Sequence, residues 1–179
     1  MASIPYLIQQ YLTPDKRKLD LSNMSLGDKG AAALAGSKGL AKLQRLSLPN
    51  NNIGDEGAAA IANSEYFKNL KELDLYGNVI GDEGVKALVD SPYLSNLRKL
   101  NLYGNLIEDE GAVAIAQTPN FPKLTHLFLA SNRVRKEGIT ALKKARGRVR
   151  LAHLHLDNIE EFAYEEPEDE EVEARPEEE

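Results

Sequence analysis

The stretch LDLYGNVIGDEG, residues 73–84, returns 27 residues later as LNLYGNLIEDEG, residues 100–111. Each copy joins two chemistries. Leu73-Asp74-Leu75 alternates apolar and polar side chains, which in a short strand puts both leucines on one face and the aspartate on the other. The segment that follows, DEGVKALV, spaces Val85, Leu88 and Val89 along one side of a helix. Asp82 stands where that helix begins, with Asp28, Asp55 and Asp109 in the matching positions, so each reads as the N-cap of its own helix. The Glu after it suits the positive end of the helix dipole. Glycine beside acids also occurs in ion-binding loops. Here the alternating ligand spacing of a calcium loop is missing, and so is the Lys-Ser/Thr pair of a phosphate loop. The acids are therefore structural. Lys136 fills the cap slot in VRKEG, which predicts a weaker start for that helix.

Extended in both directions, the frame L-x-x-L-x-L-x-x-N covers most of the 179 residues, with first leucines at Leu43, Leu70, Leu97, Leu124 and Leu151. One step back reaches Lys16, followed by Leu19 and Leu21 in frame. Five units result, 16–42, 43–69, 70–96, 97–123 and 124–150, with a sixth strand at 151–157. A single unit cannot bury both of its apolar faces; stacked units can. Small residues such as Ala31 to Ala33, Ala58 to Ala60, Ala112 and Ala114 let helices lie close to a sheet. Asn51, Asn78, Asn105 and Asn132 share one slot at the sharp turn after each strand. An amide there both donates and accepts, so a stacked asparagine ladder is predicted. Met24 replaces it in the first unit.

In these residues the chain resembles the leucine-rich repeat family, in its ribonuclease-inhibitor-like class with a helix in every repeat. The resemblance covers about residues 16–157. It implies an α/β fold: a right-handed solenoid with a concave parallel β-sheet and convex helices, serving as a non-enzymatic protein-protein interaction module.

Ile4, Leu7, Ile8, Tyr11 and Leu12 mark an amphipathic helix with Ser3 as its N-cap and Pro14 beyond its end. Residues 1–15 are thus an N-terminal helical cap, 16–159 the repeats, and 160–179 an acidic tail. Ile159, Phe162 and Tyr164 are expected to fold over the last repeat. The tail holds twelve acids and one base, a charge of -11, whereas the rest of the chain carries +5. Such a segment has too little apolar matter to bury and is expected to be disordered. A run of bases from Arg133 to Arg150 precedes it. Shielding of that run, attraction of basic partners and plain solubility are three roles open to the tail.

There is no cysteine, so neither a disulfide nor a thiolate nucleophile is available. That excludes the cysteine chemistry of bacterial leucine-rich ubiquitin ligases and suits a reducing compartment. The N-terminus has no basic segment leading an apolar run, and no stretch reaches membrane-spanning length. A cytoplasmic monomer is expected, without nucleic acid, membrane or cofactor.

Specificity belongs to the outward slots of the strands. The third slot holds Lys18, Arg45, Glu72, Lys99, His126 and His153. The fifth holds Asp20, Ser47, Asp74, Asn101, Phe128 and His155; the seventh holds Ser22, Pro49, Tyr76, Tyr103, Ala130 and Asp157. Tyr76 and Tyr103 should stack on neighbouring strands, with Phe128 one column over. Aromatics beside Arg and Lys have the composition of binding hot spots. The candidate partner-binding residues are accordingly Arg45, Asp74, Tyr76, Lys99, Asn101, Tyr103, His126, Phe128 and His155. His153, His155 and Asp157 also alternate on one face, as zinc ligands can, although three ordinary solvent-facing side chains near an edge are the favoured reading. Two other functions are considered. Ran GTPase-activating proteins resemble this plan in joining helix-bearing repeats to an acidic tail, but use a longer array and none of their functional residues can be matched here. Acidic nuclear leucine-rich phosphoproteins, which suggest a chaperone of basic proteins, have shorter repeats without this helix pattern.

Overall fold

The computed structural model describes residues 3–145 and 153–156. Six three-residue strands, β1 (Lys18–Asp20), β2 (Arg45–Ser47), β3 (Glu72–Asp74), β4 (Lys99–Asn101), β5 (His126–Phe128) and β6 (His153–His155), alternate with helices. They form one parallel sheet in chain order. The helices are α1 (Ile4–Tyr11), α2 (Gly27–Ala35), α3 (Asp55–Ala62), α4 (Asp82–Val89), α5 (Asp109–Gln117) and α6 (Lys136–Ala145). Register never slips: Leu46 pairs with Leu73, Leu73 with Leu100 and Leu100 with Leu127. Alternation then decides burial. Leu73, Leu75, Leu100 and Leu102 are sealed between sheet and helices, as are Val85, Leu88, Ala58 and Ala112 from the helical side. Burying one such leucine contributes about 2 kcal/mol.

Polar ladders stitch each repeat to its neighbours. Asn78 reaches back one repeat: its Oδ1 accepts from the amides of Asn51 and Ile53, both at 3.0 Å. Its Nδ2 donates to the carbonyls of Leu48 at 3.0 Å and Leu75 at 2.9 Å. Asn51, Asn105 and Asn132 repeat the arrangement. The predicted asparagine ladder is present, and Met24 stands where no earlier repeat exists to be stitched. A second ladder, of hydroxyls, has Ser64 donating to the Ala35 carbonyl at 2.6 Å, Ser91 to that of Ala62, and Thr118 to that of Val89 at 3.0 Å. Each caps the C-terminal end of the preceding repeat's helix.

The aspartates differ from the sequence expectation. None caps its own helix. Asp55 Oδ1 instead accepts from the amides of Gly81 at 2.7 Å and Gly84 at 3.0 Å, so it caps α4. Asp28 caps α3 in the same way, through Gly54 at 2.7 Å and Gly57 at 2.9 Å. At the first turn of its own helix each carboxylate points sideways, toward the free amides of the next helix rather than its own. The expectation for α6 fails for the same reason. Asp109 caps it through Arg135 at 2.7 Å and Gly138 at 3.0 Å, bonds as short as those elsewhere. Lys136 removes the cap that would have served a following helix. Among the helices of the repeats, the start left without a side-chain cap is that of α2.

At the N-terminus, α1 lies where expected. Ser3 occupies the cap position but its hydroxyl makes no capping bond; its carbonyl accepts from Leu7 at 3.0 Å. Leu7 is buried, whereas Tyr11 is 46% exposed. The helix ends at Tyr11, and Leu12 turns away to bridge Leu19. The expected C-terminal cap of Ile159, Phe162 and Tyr164, and the tail 160–179, lie outside the described residues.

Candidate protein-binding face

The pairing register puts the outward slots in columns, one running Lys18, Arg45, Glu72, Lys99, His126, His153 and the next Asp20, Ser47, Asp74, Asn101, Phe128, His155. Neighbours in a column lie about 4.8 Å apart, so flat rings on adjacent strands meet face to face. Tyr76 and Tyr103 stack at 5.2 Å between ring centroids and 25° between planes. Phe128 stacks on His155 at 5.1 Å and 11°. His126 stacks on His153 at 4.5 Å.

The tyrosines sit just past their strands, where the chain turns. Asp74 Oδ1 accepts from the Tyr76 amide, and Asn101 Oδ1 from the Tyr103 amide, each at 3.1 Å. Asp74 and Asn101 therefore hold the turns that present the rings. Gly77 then takes φ +64°, and a Cβ there would fall 2.1 Å from Asn50 Oδ1. Lys99 places its ammonium 5.1 Å from the Phe128 ring centre, a cation–π contact on the ring that stacks with His155. Arg45 pairs with Glu72 across adjacent strands at 3.3 Å. All nine candidate residues thus share one surface, but they separate into a flanking ion pair, a tyrosine pair held by two turn-makers, a Lys99-Phe128-His155 cluster, and His126 stacked on His153.

Two further exposed hydrophobics were missed in the sequence. Val79 and Leu106, three residues after Tyr76 and Tyr103, are 48% and 39% exposed, against 39% and 37% for the two tyrosines. They precede the buried Ile80 and Ile107 and read as core. The signal is in their slot, which elsewhere holds the polar Ser25, Asn52 and Arg133. Among the described residues, the large exposed hydrophobics outside α1 all come from these two repeats. The same residues contain no group of three or more His, Asp or Glu able to hold a metal. Asp157, the third member of the conceivable zinc set, lies outside them.

Parallel strands, back-facing helices and a 27-residue register define a repeat solenoid with an open sheet face. The leucine-rich repeat family model matches residues 39–62, 68–89, 93–116 and 122–143, and the chain belongs to that family. No curated protein matches it in sequence. Among solved structures it is similar to the tropomodulin C-terminal domain of Caenorhabditis elegans, with a TM-score of 0.54 and 14% identity over 83% of this chain and 94% of that one. An internalin of Listeria monocytogenes gives a TM-score of 0.38 and 18% identity over 82% and 58%. At these identities the likeness is one of fold. Leucine-rich repeats in general mediate protein-protein interaction.

Proposed function

We propose that this protein is a non-enzymatic recognition module that seats a protein partner on the sheet face of its third to fifth repeats. The observation that carries the reading is the stacked, exposed pair Tyr76–Tyr103, with the exposed Val79 and Leu106 three residues further along each chain turn. Nothing in the packing of a repeat requires tyrosine there, since the slot tolerates Ser22, Pro49 and Ala130. Aromatic rings give large contact area at low entropic cost, and the adjoining Lys99, Arg45 and His126 supply a polar rim. A photo-crosslinking residue placed at Tyr103, compared with one at Glu56 on α3, tests this in the native source. The Tyr103 position should trap a discrete partner and Glu56 none. The adduct should vanish when Tyr76 and Phe128 are both changed to Ala. Equal trapping at both positions, or an adduct indifferent to the two substitutions, overturns the proposal.

A further inference from the structure

The repeat gives the solenoid two edges of opposite charge. Along the edge where helices begin run Asp28, Asp55, Asp82 and Asp109, with Glu56, Glu83 and Glu110. Along the other, where strands begin, lies a cleft of about 260 Å³ lined by Gln44, Asn69, Lys71, Asn96, Arg98 and Lys123. It has three cations and no acid. Ion pairs among the described residues join Arg45 to Glu72, Lys86 to Glu83 and Glu110, and Arg133 to Glu108; none engages Lys71, Arg98 or Lys123.

The cleft is organised by its amides. Asn96 donates from Nδ2 to the Lys68 carbonyl at 2.9 Å, and Asn69 to that of Ala41 at 2.8 Å. Asn96 Oδ1 then holds the Lys123 ammonium at 2.6 Å, and Gln44 Oε1 that of Lys71 at 3.2 Å. Like charges are thus fixed on adjacent repeats by neutral groups that cannot cancel them. A carboxylate entering the cleft relieves that repulsion.

We propose that the cleft is the docking site of this chain's own acidic segment, Glu165 to Glu171. That segment places six acids in seven residues within a tail of net charge -11. Leu156 is the last described residue, and fifteen extended residues beyond it span up to roughly 50 Å. The cleft lies two to three strand spacings from β6, on the order of 15 Å sideways, so the reach is ample even after crossing the sheet. The opposite edge repels the tail along most of its length, and tethering raises the tail's local concentration to about the millimolar range. The run from Arg133 onward is the rival site, and its first member, Arg133, is already paired with Glu108 at 3.5 Å.

The absence of cysteine permits a clean test on the full-length chain. A nitroxide is attached to Glu170→Cys, and paramagnetic broadening of amide resonances is read at low salt. Loss of the Lys71, Arg98 and Lys123 peaks is expected. They should recover near 1 M salt, where the screening length falls to ~3 Å, and in a Lys71→Glu, Arg98→Glu, Lys123→Glu variant. Broadening centred on Arg133 to Lys144 would place the tail on the other basic run. Broadening seen only when spin-labelled and isotope-labelled copies are mixed would make it a contact between molecules. No broadening would leave the cleft to an acidic partner. Each of these three results overturns the proposal.

Discussion

Gly84 shows how closely the repeats are pressed together. A methyl group there would meet Asp55 Oδ1 at 2.6 Å, Ile80 Cγ2 at 2.8 Å and the Asp55 Cα at 3.0 Å. Alanine is favoured over glycine inside a helix by about 1 kcal/mol, yet here the backbone of α3 would have to yield. Gly84→Ala is therefore expected to destabilise by about 1–3 kcal/mol in urea unfolding. Gly39, with nothing within 4 Å of its Cβ site, is the control: Gly39→Ala should be neutral or stabilising by about 0.5 kcal/mol. The carboxylate that crowds Gly84 carries a second prediction. Asp55→Ala should cost about 1 kcal/mol, as loss of a helix cap does. Hydrogen exchange should accelerate at Gly81 and Gly84, in the next helix, and stay unchanged at Gly57, which Asp28 holds at 2.9 Å. Acceleration at Gly57 instead would mean that Asp55 serves its own helix.

At the scale of strand and helix, the fold was legible because the 27-residue period carries it: alternation gave the strands, the i, i+3, i+4 spacing gave the helices, and the shared slot gave the asparagine ladder. The partner of each aspartate was not legible. Asp55 opens α3 in sequence and is remote from α4, and only the stacking distance between repeats decides which free amides its oxygen meets. The hydroxyl ladder of Ser64, Ser91 and Thr118 was hidden likewise, its acceptors lying 29 residues back. Of the candidate site, the tyrosine column was visible as an outward slot, while the exposure of Val79 and Leu106 was masked by the core isoleucines after them. This division predicts how substitutions separate. Asn78→Ala leaves buried amides and carbonyls in two repeats without partners, and should cost about 3 kcal/mol. Tyr76→Ala with Tyr103→Ala removes one exposed stacked pair, about 1 kcal/mol by cross-strand and ring-stacking measures. Thermal unfolding of the two variants should therefore differ plainly, and a reversed order would show that the tyrosine column belongs to the scaffold.

For the whole molecule, the ladders have a direction. Asparagines and hydroxyls reach back, aspartates reach forward, and the two ends of the array are consequently unlike. Among the described residues, the last helix, α6, receives a cap from Asp109 but gives none. The first repeat gives its Asp28 but receives none, so α2 depends on what covers it. The cover is α1, whose Leu7 is buried while Ile4, Ile8 and Leu12 lie against the core. Because each repeat touches only its neighbours, stability in a solenoid is nearly a sum of repeat and interface contributions. Removing the cap's anchor should then loosen the array from that end inward. Leu7→Ala is expected to cost about 2–3 kcal/mol in the first repeat, seen as faster native-state hydrogen exchange at Leu21, whose amide is bonded to the Ser47 carbonyl at 2.9 Å. Leu102, bonded to the Phe128 carbonyl at the same distance, should keep its protection, since three intervening repeats separate it from the lesion. Uniform acceleration at both positions would instead show one cooperative unit, in which the polar ladders couple the repeats too strongly for either end to open alone.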